Sequence, residues 1–269
     1  MKKLATALVS AAAIMTMSTT AFAAENPAEV FDRVMEKNNT IQSAEIQSGV
    51  HSVILAKDVI PDGQMKVDMA MHAEMDMQDT TDLKYLAQVA SSILGQDSYS
   101  QVFYTDGYYY VDANGVKLKY PMPLEQIISS VQTGVNTSNM ESSYMKGISL
   151  NEVNGKRVLA YEANPKKLNK NVKEALGTVM NTLGTDVNLD MNIQEMKGSY
   201  VLDDNDYIIY MTNYIVYNME VLDQPMTCIT LMETEVQNPG EPVVVTLPST
   251  DGYEDLIGLY DGVIESEVE

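Results

Sequence analysis

Met65-Lys-Val-Asp-Met-Ala-Met-His-Ala-Glu-Met-Asp-Met77 decides the fold class of this chain. Its odd positions are Met65, Val67, Met69, Met71, Ala73, Met75 and Met77, and its even positions are Lys66, Asp68, Ala70, His72, Glu74 and Asp76. Side chains alternate between the two faces of a β-strand, so the pattern makes one apolar face and one mostly charged face. At about 3.3 Å per residue the strand runs roughly 40 Å, long for a globular protein. Its apolar face is built of methionine where a packed core uses Val, Ile and Leu. Methionine is flexible and polarizable, which suits varied apolar shapes better than one rigid packing.

The same logic recurs outward from this strand. Val187, Leu189, Met191 and Ile193 alternate with Asn188, Asp190, Asn192 and Gln194, and the phase shifts at Glu195–Met196, which predicts a bulge. Residues 207–222 place Ile209, Met211, Ile215, Tyr217, Met219 and Val221 at odd positions. Residues 44–56 read as a strand that turns at Pro61-Asp62-Gly63 into the Met strand, and a tight meander follows around Asp106-Gly107 and Asn114-Gly115. Another hairpin crosses Asn154-Gly155, and strands close the chain over 226–236 and 243–247. Helical spacing predicts amphipathic helices over 27–43, 122–135 and 165–183, and a short one over Tyr85–Leu94 stopped by Gly95. These elements predict an α+β fold: a strongly curved antiparallel sheet of about ten or eleven strands crossed by helices.

Lys2-Lys3, an apolar run from Leu4 to about Met17 and Ala21-Phe-Ala23 read as a secretory signal peptide over 1–23, cleaved near Ala23. No cysteine stands near the cleavage site for lipid attachment, and the sole cysteine, Cys228, excludes an internal disulfide. The expected organisation is the signal peptide, one domain over 24–250, and an acidic, loosely held tail over 251–269. The expected location is outside the cytoplasm, secreted or associated with the cell envelope. The formal charge of −21 argues against nucleic acid and anionic lipid surfaces as partners.

Catalytic signals are poor. The chain has two histidines, His51 and His72, and contains no His-Glu-x-x-His, Gly-x-Ser-x-Gly, Cys-x-x-Cys or phosphate-loop pattern. Asp203-Asp-Asn-Asp206 lacks the sixth-position Gly of a calcium loop and reads as a turn. Neither an enzyme nor a cofactor is expected. Copper is a minor alternative, because thioethers select Cu(I) and Met69, Met71 and Met75 surround His72 in sequence. Strand alternation turns His72 away from them, however, and the methionines recur on other strands as a wall would require.

The layout resembles the LolA/LppX-like lipoprotein-carrier fold, and more closely an uncharacterised family of exported Gram-positive proteins of that superfamily. The residues that carry the resemblance are Ala28–Met35, the Met strand, Tyr104-Thr-Asp-Gly-Tyr-Tyr-Tyr110, Gly198–Asp203, Tyr207–Met211, Asn238–Val243 and Leu247–Ser249. The resemblance implies an unclosed half β-barrel whose concave face, covered by helices, encloses an apolar cavity for an acyl chain or lipid. The chain lacks the lipobox cysteine through which many such relatives are anchored.

The expected role is non-catalytic sequestration of an apolar small molecule. The expected wall is Met65, Val67, Met69, Met71, Met75, Met77, Val187, Leu189, Met191, Ile193, Ile209, Met211, Ile215 and Met219. The alternative is an envelope- or wall-associated interaction or sensor module, with a protein partner and a core filled by its own side chains.

Overall fold

A computed structural model describes residues 25–56, 60, 62–79, 83–123, 140–170, 191–221 and 224–255. The signal peptide, Val187, Leu189, the helix expected over 122–135 beyond Pro123, and the part of 165–183 past residue 170 lie outside the described residues. The described strands form one sheet in the order β12-β6-β5-β4-β3-β2-β1-β11-β10-β9-β8-β7. They are β1 (Ser43–Leu55), β2 (Gln64–Asp76), β3 (Lys84–Ile93), β4 (Gln96–Thr105), β5 (Tyr108–Ala113), β6 (Val116–Pro121), β7 (Met145–Val153), β8 (Lys156–Ala163), β9 (Asn192–Leu202), β10 (Ile208–Val221), β11 (Gln224–Gln237) and β12 (Glu254–Asp255). The sheet is unclosed, with β12 and β7 at its two ends. β12 pairs parallel to β6, whereas β3–β6 and β7–β11 pair antiparallel in chain order.

The chain divides into two compact units that interleave in sequence. The first takes residues 1–38, 49–68 and 138–235, and the second takes 39–48, 69–137 and 236–269.

The first unit is organised by α1 (Pro27–Asn38). Asn26 caps it, its Oδ1 accepting the Ala28 N–H at 3.1 Å while its amide donates to Glu29. Pro27 occupies the first turn, where its missing N–H costs nothing. Val30, Phe31, Val34 and Met35 form one buried stripe. They pack with Leu150, Leu159, Tyr161, Ile193, Tyr200, Leu202 and Ile208 in a core where Phe31 meets Tyr161 edge-on at 5.8 Å and Tyr161 stacks on Tyr200 at 5.2 Å. The helix ends at Asn38, short of the expected Ser43. There the Asn38 side chain donates to Val34 O and accepts the Ile208 N–H, which turns the chain out toward β1. Gly198 is obligatory in β9, because a Cβ there would lie 2.3 Å from Thr212 O.

The second unit packs Leu86, Phe103, Tyr110, Val245 and Tyr253 together, with Phe103 and Tyr110 stacked at 4.6 Å and Tyr253 edge-on to both. Sequence patterning groups Tyr253 with the loose tail, yet it is buried, and the next two residues pair with β6. The helix expected over Tyr85–Leu94 is strand β3. Its apolar residues fit a helical period, but pairing with Gln96–Thr105 satisfies every rung of the hairpin and sends Leu86 into the Phe103 core.

Candidate functional site

Parity across the ladders assigns each side chain to a face, because directly paired residues in an antiparallel sheet point the same way. In the first unit, Met211 pairs with Tyr200 and Thr234, Ile215 with Met196 and Thr230, Tyr217 with Cys228, and Met219 with Met226. These residues therefore share the face that carries the aromatic core, and Met196, Met211, Ile215 and Tyr217 pack against that core half-buried.

The face continues through β1. Ser52 Oγ meets Thr230 Oγ1 at 2.9 Å, so Val50, Ser52 and Ile54 lie on it, while His51 and Asp68 pair at 2.7 Å on the other side. By alternation Met65 and Val67 then lie on the apolar face with Ser52.

In the second unit the same rule holds. His72 Nε2 lies 3.2 Å from Glu45 Oε1 and 3.8 Å from Glu74 Oε1, which fixes the polar face of β2. Met69, Met71, Met75 and Met77 take the opposite face, with Met75 and Met77 buried, Met71 half-buried and Met69 39 % exposed. His72 thus stands away from these methionines. Among the described residues, no group of three His, Cys, Asp or Glu side chains is arranged to hold a metal ion.

Two bulges adjust the predicted wall. The register between β9 and β10 slips at Gln194, one residue before the phase shift read from sequence, and this brings Ile193 into the core face. A second slip falls at Ile209, so Ile208 packs into the core while Ile209 is the half-buried extra residue. Met191 is half-buried just before β9.

Sequence reading missed Met196, Met226, Cys228 and Met232 as members of this face. The alternation Met226, Cys228, Thr230, Met232 held the signal for three of them, whereas the Gln194 bulge hid Met196. Cys228 is buried, with its Sγ 3.8 Å from Met219 Sδ.

The polar groups set into the face are few. Tyr161 donates to the buried Asn213 Oδ1, and Asn213 Nδ2 reaches Met211 Sδ at 3.8 Å. Burial pushes the Tyr161 hydroxyl well above its ordinary value and that of Tyr200 up to about 12, so both stay neutral donors at physiological pH. Among the described residues the face therefore presents thioethers, aliphatic carbons, neutral hydroxyls, the Asn213 amide and the buried Cys228 thiol. The thioether and aliphatic side chains suit contact with hydrocarbon better than contact with water.

An ionic clamp holds α1 to the end of this unit. Arg33 Nε and Arg157 Nη1 contact the two oxygens of Asp206 at 2.8 and 2.5 Å, and Glu25 reaches Arg33 at 2.8 Å. Asp32 accepts from both the Ser142 N–H and its hydroxyl at 2.7 Å.

No helix among the described residues is long and apolar enough to cross a membrane. The fold is similar to that of LprF from Mycobacterium bovis, at 10% identity and a TM-score of 0.35 over 83% of this chain and 97% of that one. It is also similar to the lipoprotein LppX of Mycobacterium tuberculosis, at 9% identity and a TM-score of 0.34 over 82% and 100% of the two chains. A beta-barrel-like protein from Brucella abortus matches at 10% identity and a TM-score of 0.25, over 74% of this chain and 100% of its own. No curated protein matches the chain. A family model described as "Family of unknown function (DUF6612)" matches residues 26–248, and the chain belongs to that family.

Proposed function

We propose that this protein is an exported, non-catalytic binder of an apolar small molecule, an acyl chain or lipid, held against the methionine-bearing face of the sheet. The observation that carries this reading is the register. Met196, Met211, Ile215, Met219 and Met226, drawn from three strands, fall on one face and stay half-buried where a closed core would bury them. Flexible thioethers conform to a mobile hydrocarbon and pack poorly into a rigid interior. Hydrocarbon burial supplies the affinity, since a dozen sequestered methylenes contribute roughly 10 kcal/mol gross. Residues 1–23 act as the cleaved export signal in this reading, and no cofactor takes part.

Native mass spectrometry of the protein purified without detergent from its exporting host tests the reading. An adduct released by organic solvent as lipid is the expected result. Protein that is free of adduct and also takes up no fluorescent fatty acid would replace the binder with the interaction module. Met69→Asp combined with Met71→Asp places two charges on the half-open part of the Met strand. That double variant should fold and be exported while losing at least about tenfold in fatty-acid retention, read by fluorescence titration. Unchanged retention would exclude Met69 and Met71 from ligand contact.

A further inference from the structure

The β3–β4 hairpin of the second unit closes through Leu94–Gly95, both at positive φ (53° and 75°), between the paired residues Ile93 and Gln96. Among the described residues, three other two-residue hairpin turns share this geometry, and they place Asp106, Asn114 and Asn154 at the first position with φ of 52°, 52° and 53°. Short polar side chains tolerate the left-handed region, and a leucine there is an outlier. Leu94 is also 69 % exposed, so little packing within the fold offsets the strain. A strained, solvent-facing leucine at a hairpin tip serves something outside the fold.

Its surroundings say what. Seven large apolar side chains are exposed among the described residues, and four of them belong to this end of the sheet: Leu94 (69 %) in the turn, Ile93 (43 %) and Val116 (61 %) on one face, and Tyr99 (44 %) on the other. Pairing of β4 with β5 stops at Ser100, so Gln96–Tyr99 reaches past the end of β5. Mutual hydrogen bonds between Tyr99 and Asn114 tie the neighbouring turn, which carries Val116, to its neck. From Gln88 to Gln101 the sole charged residue is Asp97, and no Lys or Arg occurs between Tyr85 and Val116.

We propose that this end of the sheet docks on a zwitterionic lipid bilayer, with Leu94 and Ile93 entering the acyl region and Tyr99 at headgroup level. The shape is a narrow apolar tip with an aromatic neck, which suits an interface that is oily inside and wet outside. Charge selects the headgroup: a chain of net charge −21 whose β3–β4 hairpin carries no Lys or Arg beyond Lys84 is repelled by anionic lipid and indifferent to neutral lipid, and Lys117, next to Val116, lies over the Tyr253 ring. The proposal rests on the apolar-cargo reading, because a protein that carries hydrocarbon must exchange it with a membrane.

Flotation of the mature protein with phosphatidylcholine vesicles, beside its Leu94→Asn variant, tests the tip. Asparagine suits the left-handed turn, so the variant folds, and its vesicle-bound fraction should fall at least about tenfold. The natural chain has no tryptophan, so Leu94→Trp puts a single reporter at the tip. Its emission should shift to the blue on vesicles and be quenched by brominated acyl chains. Wild-type protein that does not float, or a Leu94→Asn variant that floats equally well, overturns the proposal, as would a protein partner captured through Leu94 in place of lipid. Fatty-acid retention is measured on the same two proteins. Retention equal in both, with flotation lost only in the variant, supports the tip. If neither protein retains fatty acid, the cargo reading fails, while the flotation result still decides the tip.

Discussion

Leu94 shows how far one residue can stand from the rules its neighbours obey. Its left-handed backbone costs an L-residue with a bulky side chain about 1–2 kcal/mol. Leu94→Asn should therefore raise the unfolding free energy by about 1 kcal/mol, read as a higher urea midpoint with an unchanged slope. A lower midpoint would mean that the leucine packs on something in the folded protein. Sequence reading placed Leu94 at the end of a helix, since Leu86, Val89, Ala90 and Ile93 satisfy a helical period as well as a strand. Gly95 marked a stop in either reading, and only the pairing of Ile93 with Gln96 told a helix end from a hairpin turn.

At the scale of an element, α1 is the part of the first unit whose attachment depends on charge as well as packing. Burial alone would raise the Asp206 carboxyl, but hydrogen bonds from Arg33 and Arg157 outweigh it and hold the group below the ordinary carboxylate value. A carboxyl whose folded value lies below its unfolded value adds stability that is fully present above the unfolded value, about 4, and is lost as pH falls through the lower folded value. The melting temperature of the protein should accordingly drop below about pH 4. Asp206→Asn should flatten that part of the profile and cost about 1–3 kcal/mol at pH 7, because Arg157 loses a charged partner. An identical acid limb in the variant would place the acid sensitivity in other carboxylates. The helix itself was legible from Val30, Phe31, Val34 and Met35, whereas the clamp was not, since Arg33, Arg157 and Asp206 are far apart in the chain.

At the scale of the whole molecule, charge opposes compaction. With 38 acidic against 17 basic residues, the folded chain concentrates repulsion that the unfolded chain spreads out. Raising sodium chloride from about 10 to about 500 mM shortens the screening length from roughly 30 Å to a few ångströms and should raise the melting temperature by a few degrees. A melting temperature that falls with salt would show that ion pairs such as the Asp206 clamp outweigh the net repulsion.

Local patterning carries the sheet-rich fold, most hairpin turns, the long β2 stripe and the apolar faces of α1 and β10. Each of these is written in local periodicity or in turn residues such as Asn154-Gly155. Tertiary pairing alone settles which of the β9, β10 and β11 stripes share a face, that Ile208 and not Ile209 enters the core, that Met196 joins that face, and that residues 84–93 pair as a strand. Those outcomes depend on register between strands distant in sequence. A one-residue bulge reverses the facing of every residue beyond it, and nothing local records which neighbour the backbone hydrogen bonds will find.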